Sequence, residues 1–85
     1  MKWIPHRPEG DALATWVIYD RPSDYPSTFV ARLWLVEGHS TEPMPTDHMF
    51  ACSYIEVIRD GLRRAGLVCF PRKDNDDPAI LETWM

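Results

Sequence analysis

LATWVIYDRPSDYPSTFVARLWLV, residues 13–36, decides the fold of this chain. Two apolar, β-prone runs flank a polar connection that holds Pro22 and Pro26, which reads as strand, shaped loop, strand. In the first run, 13–19, Leu13, Thr15, Val17 and Tyr19 point one way and Ala14, Trp16 and Ile18 the other, because successive strand side chains alternate. Both sides are largely apolar, so alternation alone does not say which is inside. In the second run, 29–36, Phe29, Ala31, Leu33 and Leu35 form one apolar face. Val30, Arg32, Trp34 and Val36 form the other, and Arg32, the only charge in the run, assigns that face outward. The connection 20–27 is longer than a two-residue hairpin turn, so turn type does not fix the register.

Working outward, Glu37-Gly38-His39-Ser40 ends the second strand, and Pro43 with Pro45 keeps the next segment extended, since proline lacks the amide a helix needs. Ser53 followed by Glu56 has the spacing of a capping box. On that reading 48–52 is a short extended piece and the helix spans 54–65, with Ile55, Ile58, Leu62 and Ala65 as one apolar stripe. Gly61 lies inside that helix and costs about 1 kcal/mol relative to alanine. Arg63 and Arg64 suit the negative end of the helix dipole, and Gly66 is the left-handed residue expected beyond it. LVCFP (67–71) and AILETW (79–84) complete the strands, with RKDNDDP as the turn between them. The fold class is α+β: a two-layer sandwich in the order β-β-α-β-β, one helix on one face of a small, mainly antiparallel sheet of about four strands. Residues 1–85 read as a single globular domain, with 1–12 as an arm that Trp3 and Ile4 pin to the body.

The 85-residue length allows a thin core, burying roughly 60–65% of the unfolded surface. Four tryptophans, three tyrosines and three phenylalanines are more large rings than one such core hides, and the surplus points to an interface. The net charge of −4 argues against a general phosphate-backbone binder. Cys52 and Cys69 follow no repeated spacing, and neither a leader-type segment nor a membrane-length apolar run is present. A soluble cytoplasmic protein with reduced thiols and no membrane partner is the expectation.

One helix covers one side of the sheet. The expectation is that Trp16, Ile18, Val30, Arg32, Trp34 and Trp84 occupy the other, with Glu82 near Arg32. Either the N-terminal arm folds across this face through Trp3 and Ile4, or the face meets a second copy or another protein, as apolar patches with tryptophan and arginine commonly do. Single-stranded nucleic acid stacking on the rings is a further alternative, opposed by the scattered basic residues. In the 20–27 loop, Arg21, Asp24 and Tyr25 are the types that grip a small polar ligand, although loop side chains also satisfy their own turn amides.

Catalytic and cofactor signals are weak. His39, Asp47, His48 and Cys52 match no structural zinc spacing. The run Asp74-Asn75-Asp76-Asp77 lacks the central glycine and distant glutamate of a calcium loop. Neither Cys52 nor Cys69 has a base at a spacing that marks a nucleophile. No catalytic residue, cofactor or metal is therefore assigned. The expected function is a small non-catalytic protein acting through protein–protein contact, as a homodimer or as a regulatory or accessory subunit. The alternatives are a small-molecule binder or enzyme using the 20–27 loop, and a single-strand nucleic-acid binder.

Overall fold

The computed structural model describes residues 2–8, 10, 12–36, 42–73 and 78–85. The opening hairpin forms as read: β1 (Leu13–Asp20) and β2 (Phe29–Val36) pair antiparallel along their whole length, from Leu13 opposite Val36 to Asp20 opposite Phe29. β3 (Met44–Cys52) then pairs with β2, α1 (Ile55–Arg64) crosses to the far edge, and β4 (Cys69–Pro71) and β5 (Ile80–Trp84) follow. The sheet order is β3-β2-β1-β5-β4 with every neighbouring pair antiparallel. The architecture is α+β with five strands, one more than expected, because the extended piece at 48–52 is the end of a nine-residue edge strand.

The register corrects one expectation. Trp16 lies opposite Leu33, and Ile18 opposite Ala31. Directly opposed residues share a face, so Trp16 and Ile18 join the helix side. Trp84 pairs with Trp16 and goes with them. The core is Trp16, Ile18, Ala31, Leu33, Cys52, Ile58, Leu62 and Trp84, with Phe29, Leu35 and Phe50 packed against it. Trp16 and Trp84 are 3% and 4% exposed, where an open face had been expected for both. Glu82 faces the helix as well, away from Arg32.

The helix starts one residue later than the sequence spacing suggests. Tyr54 is the N-cap, extended at φ −109° and ψ 105°, with no side-chain cap. The Ser53–Glu56 box is not made; Glu56 turns instead to Arg59. At the other end Gly66, at φ +85°, donates to the Arg63 carbonyl, and Leu67 donates to that of Leu62. This is the Schellman closure, and its left-handed residue suits glycine.

The arm packs on the helix side, not across the open face. Trp3 stacks on Phe50 (4.7 Å between centroids) and meets Trp16 edge-on (5.1 Å). Gly61 makes room for it: a Cβ there would come within 2.7 Å of the Trp3 carbonyl oxygen. The glycine that weakens the helix is thus the notch that seats the arm. Arg7 donates to the Ala65 carbonyl at the helix end, and His6 stacks on His48 of β3. Ile4 does not help to pin the arm, being 81% exposed.

Candidate functional site

Two regions concentrate functional side chains, one on each face of the sheet. On the helix side Glu82 of β5 is 8% exposed and receives four donors. Arg59 of α1 supplies two of them, Nε at 2.9 Å and Nη2 at 3.1 Å, and the Trp84 indole N–H supplies another at 3.0 Å. The Cys69 thiol hydrogen-bonds to the same carboxylate. The third arm of the fork, Arg59 Nη1, reaches the exposed Glu56 at 2.8 Å. Burial alone would push the Glu82 carboxyl up. The bonds from Arg59 and Trp84, the Arg59 charge and the Cys69 bond outweigh that and hold it below the ordinary carboxylate value. Its bonds to Glu82, then to Glu56, raise Arg59 above an ordinary arginine. Burial, followed by the Glu82 charge and bond, pushes the Cys69 thiol up.

This arrangement ties the helix to the sheet. The carboxylate has no proton to give, the thiol keeps its proton, and a protonated thiol is a poor nucleophile. Cys52 and Cys69 are both free; the Cys52 sulfur is buried and accepts from the Tyr54 amide at 3.5 Å. Among the described residues no group of three or more His, Cys, Asp or Glu could hold a metal ion. His39 and the run 74–77, weighed above as cation ligands, lie outside the described residues. No helix among the described residues is long and apolar enough to cross a membrane.

The second region is the open face. Arg32 and Trp34 alternate with the core residues Ala31 and Leu33 and so face away from α1 and the arm; Val30 shares their side. Among the described residues no helix or strand covers them. The face instead covers itself. Trp34 Nε1 donates to the Tyr19 hydroxyl at 3.2 Å, a bridge from β2 to β1, and Val30 beneath is only 2% exposed. Arg32 is held by β3. There Met49 and Pro45, four residues apart, oppose Arg32 and Trp34, two apart, so β3 bulges between them. Within the bulge the Thr46 hydroxyl donates to the Leu33 carbonyl and accepts from the His48 amide, restoring bonds the ladder loses. The Thr46 carbonyl accepts Arg32 Nε at 2.9 Å, which fixes the guanidinium and leaves both Nη groups directed elsewhere.

Two depressions flank the Tyr19–Trp34 bridge. One, about 180 Å³, joins Tyr19, Val30, Arg32 and Met49 to Asp24 and Tyr25 of the β1–β2 loop. The other, about 210 Å³, is lined by Thr15, Val17, Tyr19, Trp34, Pro43 and Ile80 and is almost wholly apolar. The structure thus brings two of the expected loop residues, Asp24 and Tyr25, to Arg32. A turn closed by the Tyr25 amide on the Pro22 carbonyl (2.8 Å) presents them. Arg21 is not brought there: at φ 45° it pairs with Asp20 (2.8 Å) and reaches over Phe29. Of the six expected open-face residues, Val30, Arg32 and Trp34 are there, while Trp16, Ile18 and Trp84 form the core. Sequence reasoning missed Thr15, Val17, Tyr19 and Met49 on this face. The signal available was the hydroxyl of Thr15 and of Tyr19, which makes their alternation in β1 the more polar one.

Searches against protein families, curated proteins and solved structures return no match. The functional reading therefore rests on the residues themselves.

Proposed function

We propose that this protein is a small non-catalytic module that works through protein–protein contact made by the open face of its sheet, with itself or as an accessory subunit of a larger assembly. The observation that carries this reading is Trp34, half-buried on a sheet face that no helix or strand among the described residues covers, with an arginine on the same face. Tryptophan and arginine concentrate at the energetic centres of interfaces, and an uncovered apolar face with a polar rim is the usual form of a contact surface. The polar network on the other side offers no competing chemistry, because each of its groups is already committed.

A second reading, binding of a small polar ligand, is favoured by the convergence of Asp24, Tyr25 and Arg32. Its depression of about 180 Å³ is smaller than the roughly 300–1,000 Å³ of ordinary ligand pockets, and it takes second place. Single-stranded nucleic acid is the least supported, since Asp24 sits beside Arg32 where stacking platforms carry surrounding positive charge.

Site-specific photo-crosslinking in the native cell tests the first reading. A crosslinker at Thr15, on the open face, is expected to give a discrete protein adduct that disappears with Trp34→Glu. A crosslinker at Arg63, on the helix, is expected to give none. Adducts from Arg63 alone, or from neither site, would overturn the reading.

A further inference from the structure

Asp24 and Arg32 line one depression yet form no ion pair with each other. Among the described residues Asp24 has no ion-pair or hydrogen-bond partner, and Arg32 uses only its Nε–H, on Thr46. Two opposite charges thus line one depression of the open face, Arg32 held by the Thr46 carbonyl and Asp24 exposed to solvent, with no ion pair made by either among the described residues. We propose that the open face closes on a second copy of this chain, about a twofold axis passing between Asp24 and Arg32, so that Arg32 of each copy meets the partner's Asp24. The proposal rests on the contact reading above and names its partner.

The geometry favours self-association for three reasons. First, a twofold interface is self-complementary: one rotation satisfies both charges twice with no other molecule. Second, the fork of Arg32 is held through Nε by the bulge of β3, so its two Nη groups are preorganised to meet a carboxylate. Third, the available face is large enough. The molecule measures 36 × 30 × 21 Å, a layered sandwich is thinnest across its layers, and a stable interface needs roughly 800 Å² per partner. The net charge of −4 per chain opposes association only weakly, because at physiological salt repulsion decays over about 8 Å while the crossed pairs are in contact. Packing sheet on sheet also covers Trp34 and Met49, which the monomer leaves partly in water.

Sedimentation velocity on the full chain tests this with five samples: wild type, Asp24→Arg, Arg32→Glu, an equimolar mixture of those two variants, and Trp34→Glu. Circular dichroism and thermal melts check that each variant is folded. The wild type is expected to dimerise. Each single charge reversal sets like charges against each other twice and is expected to weaken the dimer by about tenfold or more. In the mixture both contacts again join opposite charges, so a heterodimer is expected where neither variant dimerises alone. A monomeric wild type at about 100 µM, a dissociation constant far weaker than most specific complexes, would overturn the proposal. A mixture that stays monomeric while the wild type dimerises would overturn it too. A dimer lost with Trp34→Glu but indifferent to both charge reversals would overturn this pairing while leaving the contact reading of the face intact.

Discussion

On one side of the sheet Trp16, Trp84 and Trp3 interlock with Phe50, Ile58 and Leu62, and a buried carboxylate is met by a charged fork, an indole and a thiol. On the other side Trp34, Tyr19 and Arg32 are drawn from the same kinds of residue, on the same strands one position along. The first face is closed by a second layer and a seated arm. Among the described residues the second is bridged by its own side chains, Trp34 to Tyr19, and keeps two hollows and two charges, Asp24 and Arg32, that make no ion pair. The lesson is that aromatic content does not by itself mark a contact surface. What distinguishes the open face is that, among the described residues, the Asp24 carboxylate meets no side-chain partner and Arg32 uses only its Nε, whereas every polar group of the Glu82 network ends on another.

Substitutions on the two faces should therefore differ sharply in cost. The largest effect is expected from Trp16→Ala, about 4 kcal/mol in chemical denaturation, the usual loss for a large core ring. A loss near 1 kcal/mol there would erase the distinction between the faces. Arg59→Leu follows at about 3 kcal/mol, because it strands a buried carboxylate. Replacing Glu82 by methionine in the same chain is expected to recover most of that loss, and a double variant as unstable as the single one would contradict the network reading. Gly61→Ala is expected to destabilise by about 1–2 kcal/mol through collision with Trp3, opposite in sign to the gain of about 1 kcal/mol that helix propensity alone gives. A rise in melting temperature would show that the arm does not occupy the notch. Trp34→Ala is expected to cost least, about 1 kcal/mol for the lost Tyr19 bond.

Acid sharpens the same contrast. Glu82 is held below its ordinary value, so its contribution is fully present above the unfolded carboxylate pKa of about 4.3. It is lost as pH falls through the lower folded value. Denaturation midpoints are expected to hold steady from neutral pH down to that range and then fall, and to fall less steeply in Glu82→Gln. Equal acid sensitivity of the two proteins would remove Glu82 from the account.

The elements were legible in the sequence where one pattern dominated. The β-prone runs of β1 and β2, the stripe Ile55–Ile58–Leu62 and the terminal Gly66 each had one physical reading. The faces were less legible because both alternations of β1 are apolar, and the loop 20–27 is too long to set register. A slip of one position moves every side chain to the other face, and that slip misplaced Trp16 and Ile18. Trp84 went with them because it pairs with Trp16. Ser53 and Glu56 had the right spacing for a cap, but Glu56 finds a charged partner in Arg59, a full turn along the helix. Gly61 read as a weakness because its use depends on Trp3, 58 positions earlier in the chain. That Asp24 and Arg32 line one depression was hidden for the same reason: a turn at Pro22–Tyr25 presents the first and a bulge in β3 holds the second.

The four tryptophans give the most direct test of the difference between the faces, since three lie on the helix side and Trp34 on the open side. Fluorine NMR of the 5-fluorotryptophan-labelled chain, followed from dilute to concentrated solution, reads all four at once. The account predicts that the Trp34 resonance alone shifts or broadens with concentration while those of Trp3, Trp16 and Trp84 stay fixed. Four concentration-independent resonances, or movement of the core signals with Trp34 unchanged, would contradict self-association through the open face.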